Sequence, residues 1–156
     1  MSRLTAQESE RIAAEVLSAS STLKPTAPFT GRLPGFDLEA AYSVTAAIRR
    51  ARVARGERPI GRKIGFTNRT IWPEYGVYAP IWGDMYDSTL RDLADTDGTL
   101  ALAPLLEPRI EPEIAFGFAA APQIRTVTRA FPVAPGETWQ TRLIGLPLDG
   151  IALRFT

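Results

Sequence analysis

Ile60-Gly61-Arg62-Lys63-Ile64-Gly65-Phe66-Thr67 alternates with the two-residue period of a β-strand. Ile60, Ile64 and Phe66 fall on one face and Gly61, Lys63 and Gly65 on the other, so the lysine projects between two positions that carry no side chain. Glycine inside a strand gives up packing and backbone entropy, which is tolerated where a ligand must approach the backbone closely. Lys63 is one of two lysines in the chain, against sixteen arginines. Arginine stays protonated, whereas a partly desolvated lysine can exchange protons with a substrate, so a proton-transfer role calls for lysine specifically. An exposed strand lysine beside bulge-forming glycines would show the same spacing.

The same stretch marks a change of character along the chain. Before it the pattern is helical: Thr5 with Glu8 three residues later forms a capping box, and Ile12, Val16 and Leu17 recur at helical spacing, which predicts a helix over residues 5–18. Pro25, Pro28 and Pro34 with Gly31 and Gly35 make the next segment a loop. Asp37 then caps a second predicted helix carrying Leu38, Ala41, Tyr42, Thr45 and Ile48 on one face and ended by Gly56 and Pro59. Six arginines lie between Arg49 and Arg62 without interleaved aromatic residues, the pattern of a solvated helix end rather than of a nucleic-acid surface. From Ile60 to Thr156 short apolar runs, β-branched residues and frequent Gly and Pro predict mostly β structure. With no repeat or linker, the expected organisation is one α+β domain over residues 1–156, helical over 1–58 and mostly β over 59–156.

Composition narrows the chemistry. The chain has 156 residues, 45% of them hydrophobic, with a formal net charge of +1, which suits one compact domain and gives no global attraction to a polyanion. It contains no cysteine, hence no disulfide, thiolate nucleophile or zinc–thiolate site. It contains no histidine either, which removes histidine-activated serine and cysteine triads and the usual zinc or copper ligand. Carboxylates, lysine, arginine, hydroxyls or a hard metal ion must carry any reaction. The opening Met1-Ser2-Arg3-Leu4-Thr5-Ala6-Gln7-Glu8 is polar where a secretory signal is apolar, and no apolar run approaches the roughly 20 residues of a membrane span, so a cytoplasmic protein without a membrane partner is expected.

A second constellation lies in Arg109-Ile110-Glu111-Pro112-Glu113-Ile114-Ala115-Phe116-Gly117-Phe118. Read as a strand, it places Ile110, Ile114, Phe116 and Phe118 on one face and Glu111 with Glu113 on the other. Two such carboxylates stand about 6.5–7 Å apart at the backbone and can converge on one ion. Their mutual repulsion calls for a cation, a proton or solvent, and oxygen-only ligands favour magnesium or manganese. An edge strand with an acidic solvent face, interrupted by Pro112, fits the same letters. Asp84 and Asp87, near the Gly83 turn, are further oxygen donors, although turn aspartates usually bond their own backbone.

Taken in order, Gly61-Arg62-Lys63-Ile64-Gly65-Phe66-Thr67, Tyr75-Gly76-Val77-Tyr78-Ala79-Pro80-Ile81-Trp82-Gly83, Arg109-Ile110-Glu111-Pro112-Glu113-Ile114-Ala115-Phe116 and Arg129-Ala130-Phe131-Pro132-Val133-Ala134-Pro135-Gly136-Glu137-Thr138-Trp139 resemble one known family. It is the fumarylacetoacetate hydrolase family, on its 2-oxopent-4-enoate hydratase and 4-oxalocrotonate decarboxylase branch. The resemblance covers nearly the whole chain and implies N-terminal helices followed by a mixed β-roll. It also implies metal-stabilised enolate chemistry on a small 2-oxo acid or 2-hydroxydienoate, giving hydration or decarboxylation. Glu111 and Glu113 match residues that bind Mg2+ or Mn2+, Lys63 matches a proton donor or acceptor, and Thr126 and Thr128 match substrate-carboxylate contacts.

The chain departs from that pattern in three places. Only residues 119–125 stand where relatives carry a large middle segment with a third metal-binding glutamate. Ile124-Arg125-Thr126-Val127-Thr128 replaces a Thr-Gly-Thr turn, and Ile81 stands where hydratases often have an acidic residue. The resemblance implies a homo-oligomer or association with a related family subunit, and the shortening suggests as an alternative a catalytically inactive homologue that serves as an interaction subunit.

Overall fold

The computed structural model describes residues 4–111, 113–116, 123–126, 131–142 and 150–156. The architecture is α+β, helices first and short strands after, and the chain divides into two compact units, Met1–Pro59 with Tyr86–Ser88, and Ile60–Met85 with Thr89–Thr156. Among the described residues no helix is long and apolar enough to cross a membrane.

The first unit is built on two helices, α1 (Ala6–Thr22) and α2 (Leu38–Ala54). The Thr5 side chain accepts from Glu8 N and the Glu8 carboxylate from Thr5 N, completing the capping box that opens α1. Asp37 caps α2 by accepting from Ala40 N at 2.9 Å. Ile12 and Ala13 of α1 pack with Val44 and Ala47 of α2, and Phe29, Leu33 and Phe36 from the intervening loop close over them. The buried face of α2 runs through Ala40, Val44 and Ala47, whereas Leu38 is exposed. Of the face predicted through Leu38, Ala41, Tyr42, Thr45 and Ile48, Ile48 packs against this core, but the fully buried positions are rotated to Ala40, Val44 and Ala47, because alanines at the crossing let two helix backbones approach more closely than bulky residues would.

Beyond α2, Gly56 takes the left-handed φ of +92° that turns the chain back, and a polar cluster holds the return. Arg52 donates to both oxygens of Glu57, Ser88 donates to the same carboxylate, and the Arg52 guanidinium lies 4.0 Å from the Tyr86 ring centroid. Asp87 accepts from the backbone and the guanidinium of Arg58 and from Ser88 N. Hydrogen bonds from Arg52 hold Glu57 below its ordinary value of 4.5, and the bond from Arg58 N holds Asp87 below 3.8.

The second unit contains a four-stranded sheet ordered β2-β1-β6-β5, built from β1 (Pro59–Gly65), β2 (Ile81–Tyr86), β5 (Glu113–Phe116) and β6 (Gln123–Thr126). A three-stranded sheet joins β3 (Thr99–Leu100), β9 (Ala152–Phe155) and β8 (Thr138–Gln140), and β4 (Arg109–Ile110) pairs antiparallel with β7 (Phe131–Pro132). Of the stretch predicted as one strand from Arg109 to Phe118, Arg109–Ile110 and Glu113–Phe116 belong to different sheets with Glu111 in neither strand, while Pro112, Gly117 and Phe118 lie outside the described residues. The β1 strand also ends one residue earlier than the alternation predicts. Phe66 adopts a left-handed φ of +61° and leaves the face of Ile60 and Ile64.

Two outcomes follow for stability. A Cβ built on Gly150 would overlap the Thr141 carbonyl oxygen, so Gly150→Ala should lose about 1–3 kcal/mol in a denaturant melt. For Glu57 and Asp87, whose folded values are depressed, the linked stability is complete above the ordinary values and lost as pH falls through the lower folded ones. The melting temperature should therefore fall as the pH is lowered below these ordinary values, and less steeply in Arg52→Gln; a flat profile would contradict this linkage.

Candidate functional site

The parallel pairing of β1 with β6 sets Lys63 opposite Ile124, and the antiparallel pairing of β6 with β5 sets Ile124 opposite Ala115 and Thr126 opposite Glu113. Residues opposite one another share a face of a sheet, as do residues two apart along a strand. Lys63, Thr126 and Glu113 therefore hold register positions on one face of the four-stranded sheet. Three of the five residues singled out in the sequence are brought together by backbone pairing alone.

Glu111 joins them through its side chain. Lys63 Nζ donates to Glu111 Oε2 at 2.6 Å, an ion pair whose side chains are 42% and 29% exposed. Both residues line an open cleft of about 440 Å³ within the second unit. Its apolar wall is supplied by Leu100, Leu153 and Phe155, together with Ile110. Leu100 and Phe155 are opposite partners in the β3–β9 pairing, which explains why they share the wall, and Phe155 is almost fully buried. Arg109, the residue that begins β4, also lines the cleft. Arg109 was not singled out in the sequence, although it has the same parity as Glu111 and Glu113.

The end of β1 is fixed by aromatic residues. The Trp72 indole N–H donates to the Phe66 carbonyl at 2.8 Å, and the Phe66 ring meets the Tyr75 ring edge-on with centroids 5.5 Å apart. A left-handed conformation costs a residue with a side chain about 1–2 kcal/mol, and these contacts help to offset it three residues beyond Lys63.

Among the described residues, no group of three or more acidic side chains is placed to hold a metal ion. Thr128 lies outside the described residues. Asp87 is occupied in the first unit by Arg58 and Ser88, as a turn aspartate would be, while the buried Asp84 carboxylate lies 3.9 Å from the Arg62 guanidinium.

No protein-family profile matches the chain. Among curated proteins, 2-keto-4-pentenoate hydratase of Paraburkholderia xenovorans is 32% identical over 113 residues, covering 72% of this chain and 41% of the relative. The 2-hydroxyhexa-2,4-dienoate hydratase of Comamonas testosteroni is 36% identical over 126 residues, covering 79% of this chain and 45% of the relative. The chain thus spans somewhat under half the length of the curated relatives it matches. Among solved structures, 4-oxalocrotonate decarboxylase from Pseudomonas putida G7 superposes with a TM-score of 0.82 in its complex with calcium and acetate, and 0.81 in its complex with magnesium and adipate. The sequence identities are 18% and 17%, and each superposition covers 99% of this chain and 100% of the other, a likeness of fold. The hydratase matches in sequence and the decarboxylase match in fold agree with the motifs around Lys63 and Glu111: the chain belongs to the hydratase and decarboxylase branch of the fumarylacetoacetate hydrolase family.

Proposed function

We propose that the cleft around Lys63 and Glu111 binds a small 2-oxo acid together with a divalent metal ion, and that Lys63 moves protons in a hydratase-like or decarboxylase-like reaction. The observation that carries this is the 2.6 Å contact between Lys63 Nζ and Glu111 Oε2 inside a cleft with apolar walls. A lysine stem is long and mobile, and an anchor at its tip sets where the proton is delivered.

The donor set suits a hard cation. The chain has no histidine or cysteine, so any metal must be held by oxygen, which selects magnesium or manganese. Glu111 and Glu113 are the residues to hold it. An ionised carboxylate has about four lone-pair sites, so Glu111 can accept from Lys63 and still offer an oxygen to an ion. When bound, the ion supplies Lewis-acid charge for the 2-oxo group. Lys63 Nζ delivers the proton to substrate or removes it, Glu111 orients that ammonium, and the hydroxyls of Thr126 and Thr128 hold the substrate carboxylate. The wider proposal is a mixed β-roll forming one domain with the helical part, working in the cytoplasm as a homo-oligomer or beside a related family subunit.

Millimolar magnesium or manganese should raise the melting temperature by several degrees, since ligand at a hundred times Kd adds about 2.7 kcal/mol. The double variant Glu111→Gln, Glu113→Gln should lose this rise, and its persistence there would place the metal elsewhere. Lys63→Met should keep native circular dichroism and lower turnover of 2-hydroxydienoates or 2-oxo acids by about 10²–10⁴-fold. A variant that turns over at the native rate would remove Lys63 from the reaction.

A further inference from the structure

Along its own strand Lys63 is flanked, two residues away on either side, by Gly61 and Gly65, so no neighbouring side chain on that face braces its stem. The β1–β6 pairing registers Arg62, Lys63 and Ile64, and β1 ends at Gly65, a residue that resists fraying poorly. Phe66 comes next and takes a left-handed φ of +61°, a conformation that its side chain disfavours. Two side chains hold it there. The Trp72 indole N–H donates to the Phe66 carbonyl at 2.8 Å, and the Tyr75 ring meets the Phe66 ring edge-on. Both belong to one helical turn, Trp72–Tyr75, in which residues three apart share a face. That turn is anchored in its own right. Asn68 caps the Arg69–Ile71 turn that leads into it by accepting from Thr70 N at 3.1 Å, Gly76 closes it with a φ of +63°, and the Arg69 guanidinium lies 5.5 Å from the Trp72 ring centroid.

We propose that Trp72 is a positioning residue for Lys63: by holding the Phe66 carbonyl it fixes the end of β1 and keeps the Lys63 ammonium on Glu111. Relaxation of Phe66 to an extended backbone would redirect the chain leaving Gly65 and let the strand end fray towards Lys63. The consequence for turnover rests on the proposed role of Lys63 in the reaction, whereas the placement of the ammonium does not.

Because the chain has only two lysines, the exposed Lys24 serves as an internal reference. Limited acylation of the full chain at neutral pH, read by mass spectrometry, gives the rate at Lys63 relative to Lys24. Trp72→Phe keeps a ring and removes the indole N–H. It should raise that ratio about fivefold, the effect of one lost hydrogen bond that frees the ammonium from Glu111. Phe66→Gly added to Trp72→Phe should bring the ratio back towards the native value, because glycine takes the left-handed φ unaided. A ratio that stays native in Trp72→Phe, or that does not recover with Phe66→Gly, would overturn the proposal. Should Trp72→Phe fail to fold, Tyr75→Ala decides in its place, with a smaller rise expected and a native ratio overturning the assignment. Turnover reports separately on the reaction: Trp72→Phe should lower kcat for a 2-hydroxydienoate about fivefold at unchanged KM. A native kcat beside a raised ratio would remove Lys63 from the reaction and leave Trp72 as its holder, and a native chain without turnover would overturn the proposed function alone.

Discussion

The placement of the Lys63 ammonium depends on Glu111. The two residues are 48 positions apart in the chain and meet at 2.6 Å with both side chains partly in water. A pair so exposed adds little net stability, because solvent screens it and ordering two long side chains costs entropy. What it gives is position. The Lys63 backbone is held between β2 and β6, and Glu111 sits between β4, tied to β7, and β5, tied to β6. The break in strand pairing at Glu111 lets successive parts of one segment join different sheets, with the carboxylate at the point of departure.

The absence of imidazole and thiolate makes this placement more consequential. An enzyme with histidine has a group that titrates near neutrality without special surroundings. A chain limited to lysine and carboxylates must create proton-transfer ability through environment: partial burial, a fixed partner and apolar walls. Lys63 stands partly buried beside Glu111 and the apolar wall of Leu100, Leu153 and Phe155. The matched hydratases are more than twice as long as the region this chain shares with them.

Local chemistry was the most legible part of the sequence. Thr5 with Glu8, and Asp37 before Leu38, announce helix starts because capping needs only a few neighbouring residues, and both are present in the structure. Of the face predicted for α2, Ile48 packs on the core and Leu38 does not, because the partner helix, not the hydropathy of Leu38, chooses the buried face. Strand alternation correctly placed Lys63 in a strand, yet it could not foresee that Phe66 would turn left-handed under the hold of Trp72 and Tyr75, which follow it by several residues. The Lys63–Glu111 contact was likewise hidden: each residue stood out alone, but no spacing rule joins residues this far apart. Arg109 went unremarked because an arginine at a strand end resembles any solvated cation until the cleft is seen.

The parallel pairing of Arg62 with Gln123 also bears on how the chain assembles. The helices α1 and α2 are neighbours in the chain and pack on each other, so their contacts are available early during synthesis. The β1–β6 ladder must instead wait for some sixty further residues before its first hydrogen bond can form. Until then the hydrogen-bonding edge that β1 keeps for β6 is open to other chains, and crowding by nascent copies would be most harmful in that interval. Lys63 and Arg62 lie on that waiting edge, where like charges on neighbouring chains repel and discourage mispairing.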